Sequence, residues 1–471
     1  MTISYLKVIP LLRVTILYFL TFLSGEGKNL VNQENPVVII GAGLSGLTAG
    51  YYLKKWGIPF IIYEARNRLG GRVNTHYFPN GTFEEVGGKE INDGGTAERL
   101  RILAHEVSCS IREEKETYKV NTLTEDKLSP QNLFSLSQSL SPEILSPSCN
   151  FVSLGERLDA FLGKEDYFRI LLETWISCYE GINTYEISDE KGKLVLTWLM
   201  KRIELGRYGI NKGEKRHSVF FTKGGSDFVE RLAKPLQDSI HLNMKLVTIK
   251  KQDGKAVLIF ENGHQVIAPH VILSVPFPTL KTINIDSSLW PEALKHTSLE
   301  TLKGGSNTKI LIPIKGKKDD CPFALTSQFT AWWNYDRTVL TVYFGGKASQ
   351  LSFKTKEQRE MVFERVWSIL NKIYPHLQHK DITAENCVFL NWSEESYSQG
   401  SYSFVRNGKE EDYELTCERF QQICRKIFEP LGDLIFFAGE HTSLTHPSTM
   451  EGAVESGERA AKMIAERLMR K

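Results

Sequence analysis

Pro36 to Ile40 read PVVII and run directly into Gly41-Ala42-Gly43-Leu44-Ser45-Gly46. This junction constrains the fold more than any other stretch. A short apolar run rich in β-branched residues reads as a buried parallel strand. The residues that follow, to Trp56, place Leu44, Leu47 and Tyr51 at helical spacing and stop before Gly57. Ile58 to Tyr63 (IPFIIY) is a second strand, closing at Glu64. The three glycines of the turn do different things. Gly41 turns the chain tightly, Gly43 leaves room for a pyrophosphate, and Gly46 lets the helix pack on the sheet. The first helical turn, from Leu44 and Ser45, offers free N–H groups and a positive dipole end to phosphate. Glu64 stands where a carboxylate accepts hydrogen bonds from ribose hydroxyls and disfavours a 2′-phosphate. The pattern predicts dinucleotide binding, and not of NADP.

The next residues, Glu64-Ala65-Arg66-Asn67-Arg68-Leu69-Gly70-Gly71-Arg72, set Arg66 and Arg72 around two glycines. Guanidinium forks suit a pyrophosphate or the edge of a flavin ring, and Gly70 and Gly71 let the backbone approach. The 471 residues favour two or three domains. Lys+Arg number 58 and Asp+Glu 56, so the net charge of +2 excludes a strongly basic nucleic-acid binder and a highly charged disordered chain. Seven cysteines without a CxxC pair argue against a disulfide framework and a Cys-based zinc site.

Val14 to Leu23 (VTILYFLTFL) follows Lys7 and Arg13 and precedes Ser24-Gly25. As a helix this run is about 15 Å long, about half a bilayer core, so no stable membrane span is expected. Residues 1–24 fit a secretory signal peptide, which implies a periplasmic or secreted protein. An uncleaved apolar leader or anchor, a misassigned start, and a cytoplasmic location are the alternatives. Residues 129–150, rich in Ser and with Pro at 130, 142 and 147, are expected to form an irregular surface loop.

The stretch Val37 to Gly88, with Leu69-Gly70-Gly71-Arg72 and Glu85-Val86-Gly87-Gly88, resembles the FAD-dependent amine oxidases, which include monoamine, polyamine and L-amino acid oxidases. The C-terminal part is similar as well: LIFFAGE from Leu434, through Gly439 to Glu440, then Thr449-Met450-Glu451-Gly452 and a helical run to Ala461. The resemblance spans residues 36 to 465, with gaps in 110–150 and 310–385, and implies an α/β fold, with a discontinuous Rossmann-like FAD-binding domain and an α+β substrate-binding domain carrying a mixed sheet and a helical insertion. The expected segments are 33–95, 215–285 and 428–471 for FAD, 96–214 for a helical part, and 286–427 for substrate binding. By resemblance Gly87, Gly88 and Gly439 lie at the cofactor, and Glu440 meets its ribityl or pyrophosphate region. The N–H of Met450 faces the flavin N1–O2 edge, where a helix N-terminus favours negative charge. Backbone at Leu246 meets the adenine.

The same resemblance implies the chemistry. The neutral amine loses hydride from its α-carbon to flavin N5, and O2 reoxidises the flavin. The products are an imine, then an aldehyde or keto acid with ammonia, and hydrogen peroxide. Lys309, heading the apolar strand ILIPI, matches the lysine that holds a water against N5. The run Trp392-Ser393-Glu394-Glu395-Ser396-Tyr397-Ser398-Gln399-Gly400-Ser401-Tyr402 resembles the aromatic segment of monoamine oxidases. It places Trp392 and Tyr397 at the cofactor and Tyr402 as one wall of an amine-orienting cage. Two departures narrow the reading. Ser401 stands where a cysteine bonds FAD in animal monoamine oxidases, so non-covalent FAD is expected. Thr449 replaces the cage's second tyrosine; among the expected substrates (a primary amine, an amino acid or a polyamine) this weighs against aromatic monoamines and leaves room for amino acids or polyamines. An amino acid requires a cation for its carboxylate, with Arg99, Arg101 and Arg406 as candidates. His441 and His446 are expected to pack near the cofactor. A desaturase or porphyrinogen-type oxidase, or a non-catalytic FAD-binding module, are the competing functions. The oligomeric state is not legible.

Overall fold

The computed structural model describes residues 35–91, 97–115, 119–124, 127–132, 142–146, 151–197, 199–200, 217–290, 302–314, 323–377, 382–405, 425 and 428–470. Two sheets organise these residues. The first is five-stranded and wholly parallel, in the order Ile435–Phe437, Val271–Leu273, Val37–Ile40, Phe60–Tyr63 and Ile240–His241. Its strands come from three distant parts of the chain. The PVVII run is apolar throughout because both its faces are covered. Val37 and Ile39 enter a core with the helices Leu44–Lys55, Gly225–Ala233 and Met450–Met469. Val38 and Ile40 enter a second core with Leu246, Ile249, Phe260 and Trp290, below a four-stranded sheet from residues 246–285. Alternating side chains of one strand serve the two layers. The closing helix Met450–Met469 crosses the glycine-turn helix closely: a Cβ on Gly457 would stand 2.2 Å from the Ser45 carbonyl oxygen.

The second sheet is seven-stranded and mixed. Its order is Val388–Asn391, Asn307–Pro313, Val339–Gly345, Thr330–Trp333, Phe323–Thr326, Lys119–Thr124 and Lys127–Asn132. All pairs are antiparallel except Phe323–Thr326 with Lys119–Thr124. Ile310, Ile312, Leu340, Val342, Ala331 and Trp333 face the amphipathic helix Lys356–Ile373, which buries Phe363, Val366, Trp367 and Leu370 against them. Lys309 and Tyr343, a cross-strand pair, take the opposite face. Helices Leu154–Leu162 and Tyr167–Glu180, with another at 189–197, form a separate core around Leu158, Leu171, Leu172 and Leu196.

Two expectations need correction. The part 96–214 is not only helical, since it gives Ile111–Lys115, Lys119–Thr124 and Lys127–Asn132. The expected loop at 129–150 therefore begins inside a strand. Pro130 lies in the strand that ends the sheet order, the position in a sheet where proline is found. Residues 1–24 lie outside the described residues. Among the described residues no helix is long and apolar enough to cross a membrane.

Candidate active site

Both sheets meet at one elongated cavity of about 700 Å³. One end is the glycine turn. Gly41 N–H donates to Tyr63 O at 2.8 Å, and Gly70 N–H to Ala42 O at 2.9 Å, so the turn is tied to both flanking segments. A Cβ on Gly46 would fall 2.0 Å from Gly41 O, so the helix can approach the turn only with glycine at that position. A Cβ on Gly43 would meet nothing within 4 Å and would project into open space. Gly43 caps the helix without a side chain, and the first turn holds no acidic residue, so its N–H groups are free for an anion. Buried Glu64 accepts from Ala42 N–H at 2.7 Å and Arg66 N–H at 2.9 Å, fixing its carboxylate on the cavity wall. Leu44, Ser45, Ala65, Gly70, Gly71 and Leu246 line the same end.

The two arginines are held by carboxylates far along the chain. Arg66 donates to Glu395 and Ser398 and lies 5.4 Å from the Tyr397 ring centre. Arg72 Nη1 donates to Glu440 at 2.8 Å and to Ser401 O at 2.6 Å. Glu440 also accepts from Ser403 Oγ at 2.6 Å and from the N–H groups of Ser403 and Ser448 at 3.2 and 3.0 Å. Burial alone would raise this carboxyl. The Arg72 charge, with the Ser403 hydroxyl, outweighs burial and holds it below the ordinary value. Met450 opens the closing helix, Thr449 caps it by accepting from Gly452 N–H at 3.0 Å, and both line the cavity with Gly439.

At the other end stand Lys309, Trp392, Tyr402 and Tyr343 with Gly87 and Gly88. The Lys309 ammonium is buried and donates to Glu85 O at 3.0 Å and Gly87 O at 2.6 Å. Burial pushes its pKa down to about 8. Trp392 Nε1 donates to Val86 O at 3.3 Å, so the same 85–87 segment positions both side chains. Tyr402 donates its hydroxyl to Tyr179 O and Cys178 O at the end of helix Tyr167–Glu180, and burial holds it well above the ordinary phenol range. Ser401 Oγ donates to Asn307 Oδ1 at 2.6 Å.

Every cofactor and catalytic residue expected from the sequence lines this cavity except Gly46, which packs against Gly41 O behind the turn. The carboxylate candidates do not line it. Arg99 pairs with Glu458 at 2.6 Å and Arg101 with Glu113 at 3.1 Å, both on the surface, while Arg406 lies outside the described residues. His441 is buried against Phe277 and Phe428, and burial lowers it to about 4, so it is neutral at working pH. Sequence reasoning missed Ser274, whose hydroxyl donates to Ile40 O and Gly41 O at 2.8 and 3.0 Å. It also missed Ser403, Ser448 and Tyr343. Tyr343 was findable, since alternation along TVLTVYFGG puts it on one face only.

The family model of flavin containing amine oxidoreductases matches residues 44–212 and 203–465. The chain belongs to this family. It is 27% identical to the flavin-containing amine oxidase B of Mus musculus over 488 residues, 92% of this chain and 86% of the relative. It is 26% identical to lysine-specific histone demethylase 1 homolog 1 of Arabidopsis thaliana, covering 91% of this chain and 52% of that protein. Two solved structures share the fold. Wild-type putrescine oxidase bound to putrescine has a TM-score of 0.67 at 19% identity, covering 92% of this chain and 99% of that one. Cyclohexylamine oxidase from Brevibacterium oxydans IH-35A has 0.67 at 18% identity, covering 93% and 100%. The protein is an FAD-dependent amine oxidoreductase, and its cavity fits that cofactor. The open space at Gly43, the uncapped helix end and the Glu64 carboxylate suit the dinucleotide half, and the Arg72–Glu440 and Met450 region suits the ring.

Proposed function

We propose that the protein oxidises an amine without an α-carboxylate, using O2 and releasing an imine that water converts to a carbonyl compound and ammonia. The observation that carries this reading is the wall of Lys309, Tyr343, Trp392 and Tyr402, contiguous with the glycine turn in one cavity. FAD, when bound, accepts a hydride from the carbon beside nitrogen and passes both electrons to O2, giving hydrogen peroxide. The ring faces of Tyr402 and Tyr343 orient the amine and its developing positive charge. Tyr402 is rigid because its hydroxyl is already committed to two carbonyls. Buried Lys309 disfavours a second cation beside it, so the substrate nitrogen reacts as the neutral amine. Its third donor proton is available to hold a water.

Substrate class follows from the cations on the wall. Arg66 and Arg72 already hold Glu395 and Glu440, and Lys245 holds Glu261 at 2.7 Å. Among the described residues, no guanidinium lining the cavity is left for a carboxylate. The test is a peroxide assay over primary amines, polyamines and L-amino acids. Turnover of amines is expected. Turnover of L-amino acids alone overturns the reading, and no turnover of either favours the non-catalytic or desaturase alternatives. FAD is held without a covalent bond, because Ser401 presents a hydroxyl engaged with Asn307. Export through residues 1–24 belongs to the same proposal, and N-terminal sequencing of the mature protein checks it.

A further inference from the structure

Behind Lys309 lies a second cavity of about 350 Å³, lined among others by Glu84, Glu85, Lys89, Arg112 and Asp336. Phe83, Glu84, Glu85 and Lys89 come from the same segment whose Glu85 and Gly87 carbonyls accept from Lys309. Glu84 is 3% exposed, yet it carries a carboxylate. Lys89 Nζ lies 2.8 Å from Glu84 Oε1 and 3.0 Å from Oε2, and the Glu85 N–H donates to Glu84 Oε1 at 3.1 Å. Trp332 joins the two lysines: Lys309 Nζ is 5.9 Å and Lys89 Nζ 5.6 Å from its ring centre. An ammonium facing the cofactor, a buried carboxylate and a second ammonium reaching the other cavity thus form one cluster.

We propose that Glu84 is the counter-charge that keeps Lys309 an ammonium beside the flavin, and that Lys89, from the second cavity, holds Glu84 in place and weakens its effect. Coulomb's law sets the signs. Glu84 favours the charged form of Lys309, and Lys89 disfavours it. The other titratable groups nearby are Glu85, Tyr343, Tyr402 and Arg112. Glu85 accepts from Gly225 N–H at 2.7 Å and Thr75 Oγ1 at 2.8 Å, and it favours the ammonium as well, less than Glu84 does. Tyr343 sits 5.5 Å from Lys309 and offers a ring face, which also favours the cation. Tyr402 carries no charge at working pH. Arg112 stacks on Phe220 and Tyr335 at the mouth of the second cavity. Glu84 and Lys89 are therefore positioning residues that act through Lys309.

The proposal rests on Lys309 facing the flavin and not on which amine reacts, so its test uses no amine. The reduction potential of bound FAD in the holoenzyme is measured against pH with a chemical reductant and indicator dyes. Reduction places negative charge beside Lys309, so the line changes slope where that ammonium loses its proton. Glu84→Gln keeps the shape and an acceptor for Glu85 N–H but removes the charge. It is expected to lower the break by about one pH unit or more. Glu84→Gln with Lys89→Met removes both charges. It is expected to leave the break between Glu84→Gln and the parent, and it supports the test alone if the single variant does not fold. The break is expected to vanish in Lys309→Met. The proposal is overturned by a break that Glu84→Gln leaves in place, by a double variant lying below the single one, or by a break that persists in Lys309→Met.

Discussion

Replacing Glu440 with Gln removes one charge and one acceptor from a carboxylate that joins three chain segments. Its four hydrogen bonds come from Arg72 Nη1, Ser403 N–H, Ser403 Oγ and Ser448 N–H. A glutamine keeps one oxygen. If that oxygen faces Arg72 and Ser403 N–H, the Ser403 hydroxyl can turn to accept from the new amide. Ser448 N–H, opposite the amide nitrogen, loses its acceptor. A stranded buried N–H costs about 1–3 kcal/mol, and the lost ionic part of the Arg72 contact adds about 1 kcal/mol. The second term is kept small because the Arg72 side chain is 23% exposed and partly screened. The sum, about 2–4 kcal/mol, corresponds to about 30- to 1,000-fold in the folding constant. Urea unfolding of FAD-loaded and FAD-stripped protein reads it, with weaker FAD retention expected alongside. The folded-state pKa of Glu440 is depressed, so its contribution is present at neutral pH and lost as pH falls through that depressed value. The gap between parent and variant should therefore close in acid. A stability loss under about 0.5 kcal/mol at pH 7, or a gap that widens in acid, would refute the reasoning.

The glycine turn separates folding from binding. Gly46→Ala forces a methyl against Gly41 O and is expected to cost at least about 2 kcal/mol in urea unfolding, with FAD lost. Gly43→Ala meets no protein atom, so stability should stay within about 0.5 kcal/mol while FAD affinity, read by flavin fluorescence, falls. Lys309→Met is expected to keep FAD but slow its reoxidation by O2 in rapid mixing, and unchanged kinetics would remove Lys309 from the site. Acid precipitation should leave free FAD in solution, whereas yellow pellet and colourless supernatant would show a covalent link.

Much of the cofactor half was legible because its signals are local. A strand, a turn with three glycines and a helix follow one another within Pro36 to Lys55, and the acid at Glu64 closes the next strand. From its neighbours alone Lys309 was legible only as the polar head of an apolar strand, and its role came from the family resemblance. Its direction depended on pairing with Tyr343, on which the strand itself is silent. The strands at 119–132 were hidden because an edge strand can carry Pro130 and serines that read locally as loop.

What the sequence determined by itself was the short-range geometry: which residues turn, which alternate between two covered faces, and which helix end points at an anion. These depend on steric freedom and periodicity, which act between near neighbours. Tertiary structure alone decided the charge assignments. Arg66 and Arg72 stand beside the glycines in sequence, yet their carboxylate partners Glu395 and Glu440 are 329 and 368 residues away. Electrostatic partners are chosen by distance in space, and only the folding of both sheets around one cavity brings those charges within reach.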